Sequence, residues 1–281
     1  MLIFPQILAT FNFIAMDRHG GRCAAARAVC GNFEGMDTSS SNDVGSGIVL
    51  ALWNDIEASR SAEYERWHTL EHVPERVWVP GFRSGTRYLR LSGPGARYFT
   101  LYEIDSPDAL ASADYDDLVR NPTPWSASMR LSFSNFLRRI YTIAGVHGSS
   151  RGAAMLVVRA VWGAAGGVPT AQALDAFAAA LLKGGSSACV MRVEVGVATT
   201  AGPQAMANVD EAPDGADRLF MLHTSDAAHL EEVSGVFAST LASLPEQPVW
   251  LFEAGYQLAS RVEHAEVAAP SRPAPRLDLM P

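Results

Sequence analysis

Residues 67–82 read Trp-His-Thr-Leu-Glu-His-Val-Pro-Glu-Arg-Val-Trp-Val-Pro-Gly-Phe. His68 and His72 stand four apart, and Glu71 directly precedes the second. On a helix, residues three and four apart share a face. Tyr64, His68, Glu71, His72 and Glu75 therefore form one stripe of phenol, imidazole and carboxylate, while Glu65 and Arg66 fall elsewhere and read as solvated. Such a stripe can hold a metal, move protons, or lie as an exposed polar face with Glu71 and Glu75 paired to Arg76 or Arg87.

Metal binding is the weakest of these readings. His68, Glu71 and His72 match the His-x-x-Glu-His spacing of inverted zinc proteases. Two imidazoles four apart can share a zinc ion, but a catalytic site needs a third protein ligand. The glutamate that should follow on a later helix is missing, because none occurs between Glu103 and Glu194. No resident metal is expected. Proton transfer suits the residues better, since an imidazole exchanges protons near neutral pH and a nearby carboxylate can orient its ring. His72, His68 and Tyr64 are the candidate proton carriers, with Glu71 or Glu75 beside them. Trp53, Trp67 and Trp78 could wall a pocket or simply fill a core. Arg87 and Tyr88 open the next strand-like segment, where Arg87 could meet a substrate anion or pair with Glu71. His223 reads as a strand residue, and His147 and His264 belong to no constellation.

The elements that must position this stripe follow from periodicity and turn residues. Residues 47–56 form an apolar strand, and the helical pattern of 59–78 stops at Gly81. Pro74 cannot donate a backbone hydrogen bond, so the helix should kink or end there. Residues 83–92 and 97–105 alternate as strands around the turn at 93–95. Ser106-Pro107 starts a helix running to about Val119. Asn121–Trp125 breaks it, and 136–145 is a strand. The same order recurs: strand 154–162, helix 170–185, strands 189–199 and 218–226, helix 227–242 and strand 249–260. Two βαββαβ units are the predicted organisation: a leader and linker at 1–45, units at 46–148 and 152–262, and a disordered tail at 263–281. In each unit two helices cover one sheet face, so the other, partly apolar face needs a cover. The second unit can supply it, as can a second copy of the chain, which makes a homodimer a candidate assembly.

Composition narrows the function. A net charge of −8 over 281 residues gives no basic footprint for nucleic acid or an anionic membrane. No apolar run is long enough to span a bilayer. Residues 1–16 are apolar without a basic start and poorly match a signal peptide; Met36, before the Ser- and Gly-rich stretch 37–47, reads as a natural start. Three cysteines do not make a disulfide framework, and Cys189 in its apolar run reads as a small buried residue. A reducing, cytoplasmic setting fits. No phosphate-cradling glycine loop or nucleophile elbow is present, so no cofactor is expected.

The βαββαβ order, with a first helix ending in His72-Val73-Pro74, then Pro80-Gly81 and a strand carrying Arg87-Tyr88, resembles the dimeric α/β-barrel superfamily, in particular its EthD-like branch. The likeness in topology covers about 47–260, and that in motif covers 63–88. It implies an α+β fold of two ferredoxin-like repeats packed sheet to sheet as a pseudo-dimeric barrel. It also singles out His72, at the His-x-Pro position. The second unit has no histidine and no His-x-Pro in its first helix, which marks it as degenerate. The superfamily implies several activities. The leading expectation is a cofactor-independent lyase-type enzyme (decarboxylase, dehydratase or cyclase) on an apolar or aromatic small molecule. Alternatives are a cofactor-independent monooxygenase of an activated phenol, a ligand-binding or assembly module, and a haem protein using His68, His72 or His223.

Overall fold

In a computed structural model the described residues are 47–163, 167–199, 208, 213 and 215–281; the expected leader and linker at 1–45 lies outside them. The first seven elements begin with strand β1 (Ile48–Ile56) and helix α1 (residues 61–78). Strands β2 (Phe82–Ser92) and β3 (Tyr98–Ile104) follow, then short helices α2 (Ala113–Arg120) and α3 (Pro124–Arg130), and strand β4 (Phe133–Gly148). The order returns with β5 (Ala154–Trp162), α4 (Ala171–Gly184), β6 (Val190–Thr199), β7 (Ala216–Thr224), α5 (Leu230–Leu241) and β8 (Trp250–Glu263).

The eight strands pair antiparallel into a closed barrel of order β1-β3-β2-β8-β5-β7-β6-β4, giving a mixed α+β fold. The runs β4-β1-β3-β2 and β8-β5-β7-β6 have equivalent orders. Closure comes at β2–β8 and β4–β6, where Gly85 pairs with Val262 and Thr142 with Val197. An open sheet would leave those edges with unpaired N–H and C=O groups.

Side chains alternate across each strand. Along β1, Val49, Ala51 and Trp53 join the barrel interior with Phe99, Leu101, Met155 and Met221. Leu50 and Leu52 face outward beneath the helices of the first half. Outside the second half, α4 and α5 bury Leu174, Phe177, Leu181, Val233 and Phe237 against β5–β7. Helix α1 lies very close to β2. A Cβ on Gly85 would come within 2.6 Å of Val73 Cγ1 and 2.8 Å of Val77 Cγ2, so only glycine permits this approach.

Several expectations need correction. Helix α1 does not end near Pro74 but runs on to Trp78. Residues His68–His72 form one wide π-type turn in which Val73 N–H bonds to His68 O, five residues back. The extra residue comes just before Pro74, which has no N–H to give and whose ring would press on the preceding turn of a regular helix. The segment after Asn121 is not only a break: Thr123 accepts from Ser126 N and caps helix α3, with Pro124 at its first position.

The tail is not disordered. β8 extends to Glu263, a short helix follows (His264–Val267), and the remainder lies along α1. Trp78 Nε1 donates to Ala269 O at 2.9 Å, Arg272 Nη2 to Glu75 Oε1 at 2.7 Å, and the backbone N of Arg276 to Glu71 Oε2 at 2.6 Å. Leu279 and Met280 pack on the Tyr64–Trp67–Trp125 cluster. The Ala- and Pro-rich composition suggested disorder because it hides these few anchors. Cys189 is exposed, at a φ of +52° in the turn before β6, while Ala188 beside it takes the buried position. Among the described residues no helix is long and apolar enough to cross a membrane.

Candidate functional site

Helix α1 gathers most of the expected stripe, although the π turn changes how its members point. Tyr64 is fully buried and donates to Asn54 Oδ1 at 3.2 Å. Its ring stacks on His68 at 4.8 Å, His68 stacks on His72 at 5.2 Å, and His72 lies against Trp67 at 4.4 Å. The result is a continuous ladder from Asn54 to His72. The stripe is not an exposed polar face, since His68, Glu71 and Glu75 are each 5% exposed or less.

The two carboxylates do not serve the imidazoles. Glu71 accepts from Thr123 Oγ1 at 2.6 Å and from Arg276 N, and Glu75 is held by Arg272. Both are anchors for α3 and the tail. Nδ1 of His68 and Nδ1 of His72 are buried with no hydrogen-bond partner among the described residues. Burial is the main force holding both imidazoles well below their usual pKa. Arg87 is the next cause for His68, and Arg76, then Arg130, for His72. Both rings are therefore neutral at pH 7. Among the described residues no three His, Cys, Asp or Glu side chains converge as a metal site.

His72 faces a cleft of about 80 Å³ between α1, the α2–α3 segment and the β1–β4 sheet. Trp67, Phe133, Phe136 and Leu52 supply apolar walls, and Arg76, Arg130 and Arg138 also line it. This space is far too small for a haem macrocycle as it stands.

The other expected residues do not converge there. Arg87 is 3% exposed but does not meet Glu71; it bonds to Thr69 Oγ1 and, at 2.7 Å, to Glu65 Oε2, so Glu65 is a partner rather than merely solvated. Tyr88, its neighbour on β2, points the opposite way, into the barrel interior, where burial pushes its phenol up to about 12. Trp53 also faces the interior, stacked on Phe99 at 4.7 Å. Trp78 belongs to the core under α1. Of the three tryptophans only Trp67 touches His72.

His223 lies in the barrel interior, 1% exposed, with its Nε2 3.8 Å from Glu194 Oε1. His147 pairs with Asp175 at 2.8 Å, and His264 Nδ1 meets Val77 O at 2.7 Å near the C-terminal end of α1. Reading the sequence alone missed Arg130, Arg138, Phe133 and Phe136. The signal for Arg130 was the Thr123-Pro124 helix start, which places a seven-residue helix ending at that arginine.

No protein-family model matches the chain, and no curated protein is similar to it. Solved structures do resemble it. An anthrone oxidase-like protein superposes with a TM-score of 0.56 at 10% identity, over 80% of this chain and 97% of its own. A candidate monooxygenase from Fusobacterium nucleatum superposes with a TM-score of 0.50 at 7% identity, over 78% and 95%. At such identities the likeness concerns architecture alone: a mixed α+β fold built on an eight-stranded antiparallel barrel.

Proposed function

We propose that this chain is a cofactor-independent enzyme acting on a small, largely apolar or aromatic molecule, with His72 as its proton-transfer group. The observation that supports it most is the His72 imidazole: held neutral, with Nδ1 buried and unpartnered, at the wall of an aromatic-lined cleft. A buried polar atom without a partner is uncommon in a folded protein, and a neutral imidazole is ready to accept a proton. The ladder of His68 and Tyr64 behind it fixes the ring's plane, so both act as positioning residues. Glu71 stands outside the proton path.

The reaction class favoured is lyase-type, in which His72 takes a proton from the substrate and returns it: to the carbon left by carbon dioxide in decarboxylation, to the departing hydroxyl in dehydration, or to the new oxyanion in cyclisation. A second reading is oxygenation of an activated phenol; the Fusobacterium protein is named a candidate monooxygenase. Both begin with the same proton, and oxygen uptake separates them from release of carbon dioxide or water. Two ferredoxin-like repeats, at about 46–148 and 152–262, make up the barrel in this reading. The first carries the site, and the second closes the barrel as its degenerate partner. In this reading His72-Val73-Pro74 followed by Pro80-Gly81 supports assigning the first repeat to the EthD-like branch.

The test is turnover of a substrate found by untargeted metabolite screening, with wild type and His72→Ala compared. A positioned proton-transfer group contributes about 10²–10⁴ in rate, so the variant should lose that much while its circular dichroism is unchanged. Full turnover by the variant would make the motif structural and the chain a binding or assembly module.

A further inference from the structure

We propose that the His72 cleft is built for an oxyanion on a flat ring: a small aromatic carboxylate or phenolate whose charged head meets Arg76 and Arg130 while its ring lies against Phe133 and Phe136. This deepens the reading of the cleft as the active site and rests on it.

The charge balance carries the inference. Arg76 and Arg130 line the cleft, and among the described residues no carboxylate does. Arg76 forms an ion pair with Glu75, whose Oε2 lies 3.8 Å from Arg76 Nη1, but at that distance no hydrogen bond satisfies the Nη1 donor. The other oxygen of Glu75 is already held by Arg272. Arg76 is 6% exposed, and its Nη1 is buried without a partner among the described residues. It also lies over the Tyr115 ring at 5.7 Å, a contact that leaves its hydrogen-bond donors unused. Arg130 donates to the carbonyls of Leu118 and Val119 at 3.4 and 3.1 Å. Those neutral acceptors do not balance a charge. Burial, and after it the neighbouring Arg76, lowers the proton affinity of the Arg130 guanidinium. Cations gathered this way, with one donor unmet, are the arrangement an oxyanion relieves, because a guanidinium binds a carboxylate through paired, charge-assisted hydrogen bonds.

The remaining features set the rest of the ligand. The walls supplied by Trp67, Phe133 and Phe136 suit a π-face. About 80 Å³, against about 30 Å³ for a water in the liquid, is enough for one oxyanion head and the edge of a single ring. An anion also changes the chemistry of His72. The same arginines that oppose a lone imidazolium would then face a negative charge, so the proton becomes easier for His72 to hold.

The test uses the full chain in low-salt buffer at pH 8. Titration calorimetry compares benzoate and 4-nitrophenolate with benzyl alcohol and benzylamine, on wild type, Arg76→Met and Arg130→Met. At least one of the two anions should bind at least about tenfold more tightly than benzyl alcohol, with benzylamine weakest. Each variant should weaken anion binding about 10- to 100-fold, the range for one charged hydrogen-bond partner, with benzyl alcohol little changed. Anion binding should also raise the midpoint of the His72 imidazole in an NMR titration. Arg130→Met, at the more open edge of the cleft, carries the test if Arg76→Met does not fold. The inference fails if neither anion binds, if anion, alcohol and amine bind alike, or if both variants bind the anions as wild type does. That failure, with His72→Ala still inactive, would leave the proton-transfer reading standing. Selective anion binding with a fully active His72→Ala would sink that reading instead.

Discussion

Acidifying the protein from pH 7 to pH 4 should strip stability from it through one side chain in particular. His223 sits on β7 inside the barrel, 1% exposed, and neither ring nitrogen has a hydrogen-bond partner among the described residues. Two effects oppose each other there. Burial disfavours the imidazolium, and Glu194, at 3.8 Å, favours it. Burial wins, because Glu194 already faces two guanidiniums: Arg192, and Arg151 at 3.3 Å. The His223 pKa is lowered to about 4, against about 6.5 in an unfolded chain. Between those values the unfolded state binds the proton and the folded state does not, so stability falls as the pH falls. About two and a half pH units at 1.36 kcal/mol each give roughly 3 kcal/mol.

The assay is urea unfolding of wild type and His223→Leu at pH 7, 6, 5 and 4. His68 and His72, also lowered by burial, act in the same direction, but they are common to both chains and cancel in the difference. Glu103, whose burial cost is outweighed by Arg151 so that it is held at about 2, begins to lose its contribution near its unfolded value of about 4.3, at the acid end of the range, and being common to both chains cancels as well. Wild type should lose roughly 3 kcal/mol more than the variant across the range. A gap that stays constant with pH would refute the reasoning. A gap of opposite sign would show that Glu194 keeps the imidazole charged.

Removing residues 268–281 should destabilise the fold by about 3–5 kcal/mol, the usual effect of stranding one partner of a buried ion pair, because Glu75, 2% exposed, loses Arg272; an unchanged urea midpoint would mean the tail is not anchored as described. Gly85→Ala should cost about 1–3 kcal/mol by overpacking, since its Cβ would press on Val73 and Val77 of α1; thermal unfolding checks this, and a neutral result would mean that α1 can lift from the sheet.

Much of this architecture was legible because the signals were local. Alternating side chains marked β2 and β3, and the Thr170 cap and Gly184-Gly185 stop marked α4, which spans Ala171–Gly184. The failures came where distant residues decide. The π turn at His68–His72 follows from a conflict between Pro74 and an uninterrupted helix, and it resolved toward continuation because Val73, Val77 and Trp78 are buried in the core under α1. The tail is placed by three side chains of that same helix, Glu71, Glu75 and Trp78, which no pattern within 263–281 discloses. Arg87 and Tyr88 are adjacent in sequence and were read as one site. Strand geometry sends them to opposite faces, one toward α1 and one into the barrel.

The contrast between the two sets of helices argues for where chemistry resides. Beneath α4 and α5 the core is largely apolar, with Trp162, Phe177, Phe220 and Phe237 packed together and buried Thr224 bonded to Ala188 O. Around α1 the protein buries His68, Glu71, Glu75, Arg76, Arg87 and Arg138. Each such group destabilises the fold unless it is paired. Both carboxylates and Arg87 have evident structural partners: Glu71 with Thr123 and Arg276, Glu75 with Arg272, Arg87 with Glu65 and Thr69. Stability alone accounts for those. It does not account for the buried Nδ1 of His72 or the unmet Nη1 of Arg76, which an apolar side chain of similar volume would spare the fold. Both belong to residues lining one cleft, where a bound molecule could supply the missing partners, whereas His223, unpartnered at both ring nitrogens, lies apart in the barrel interior.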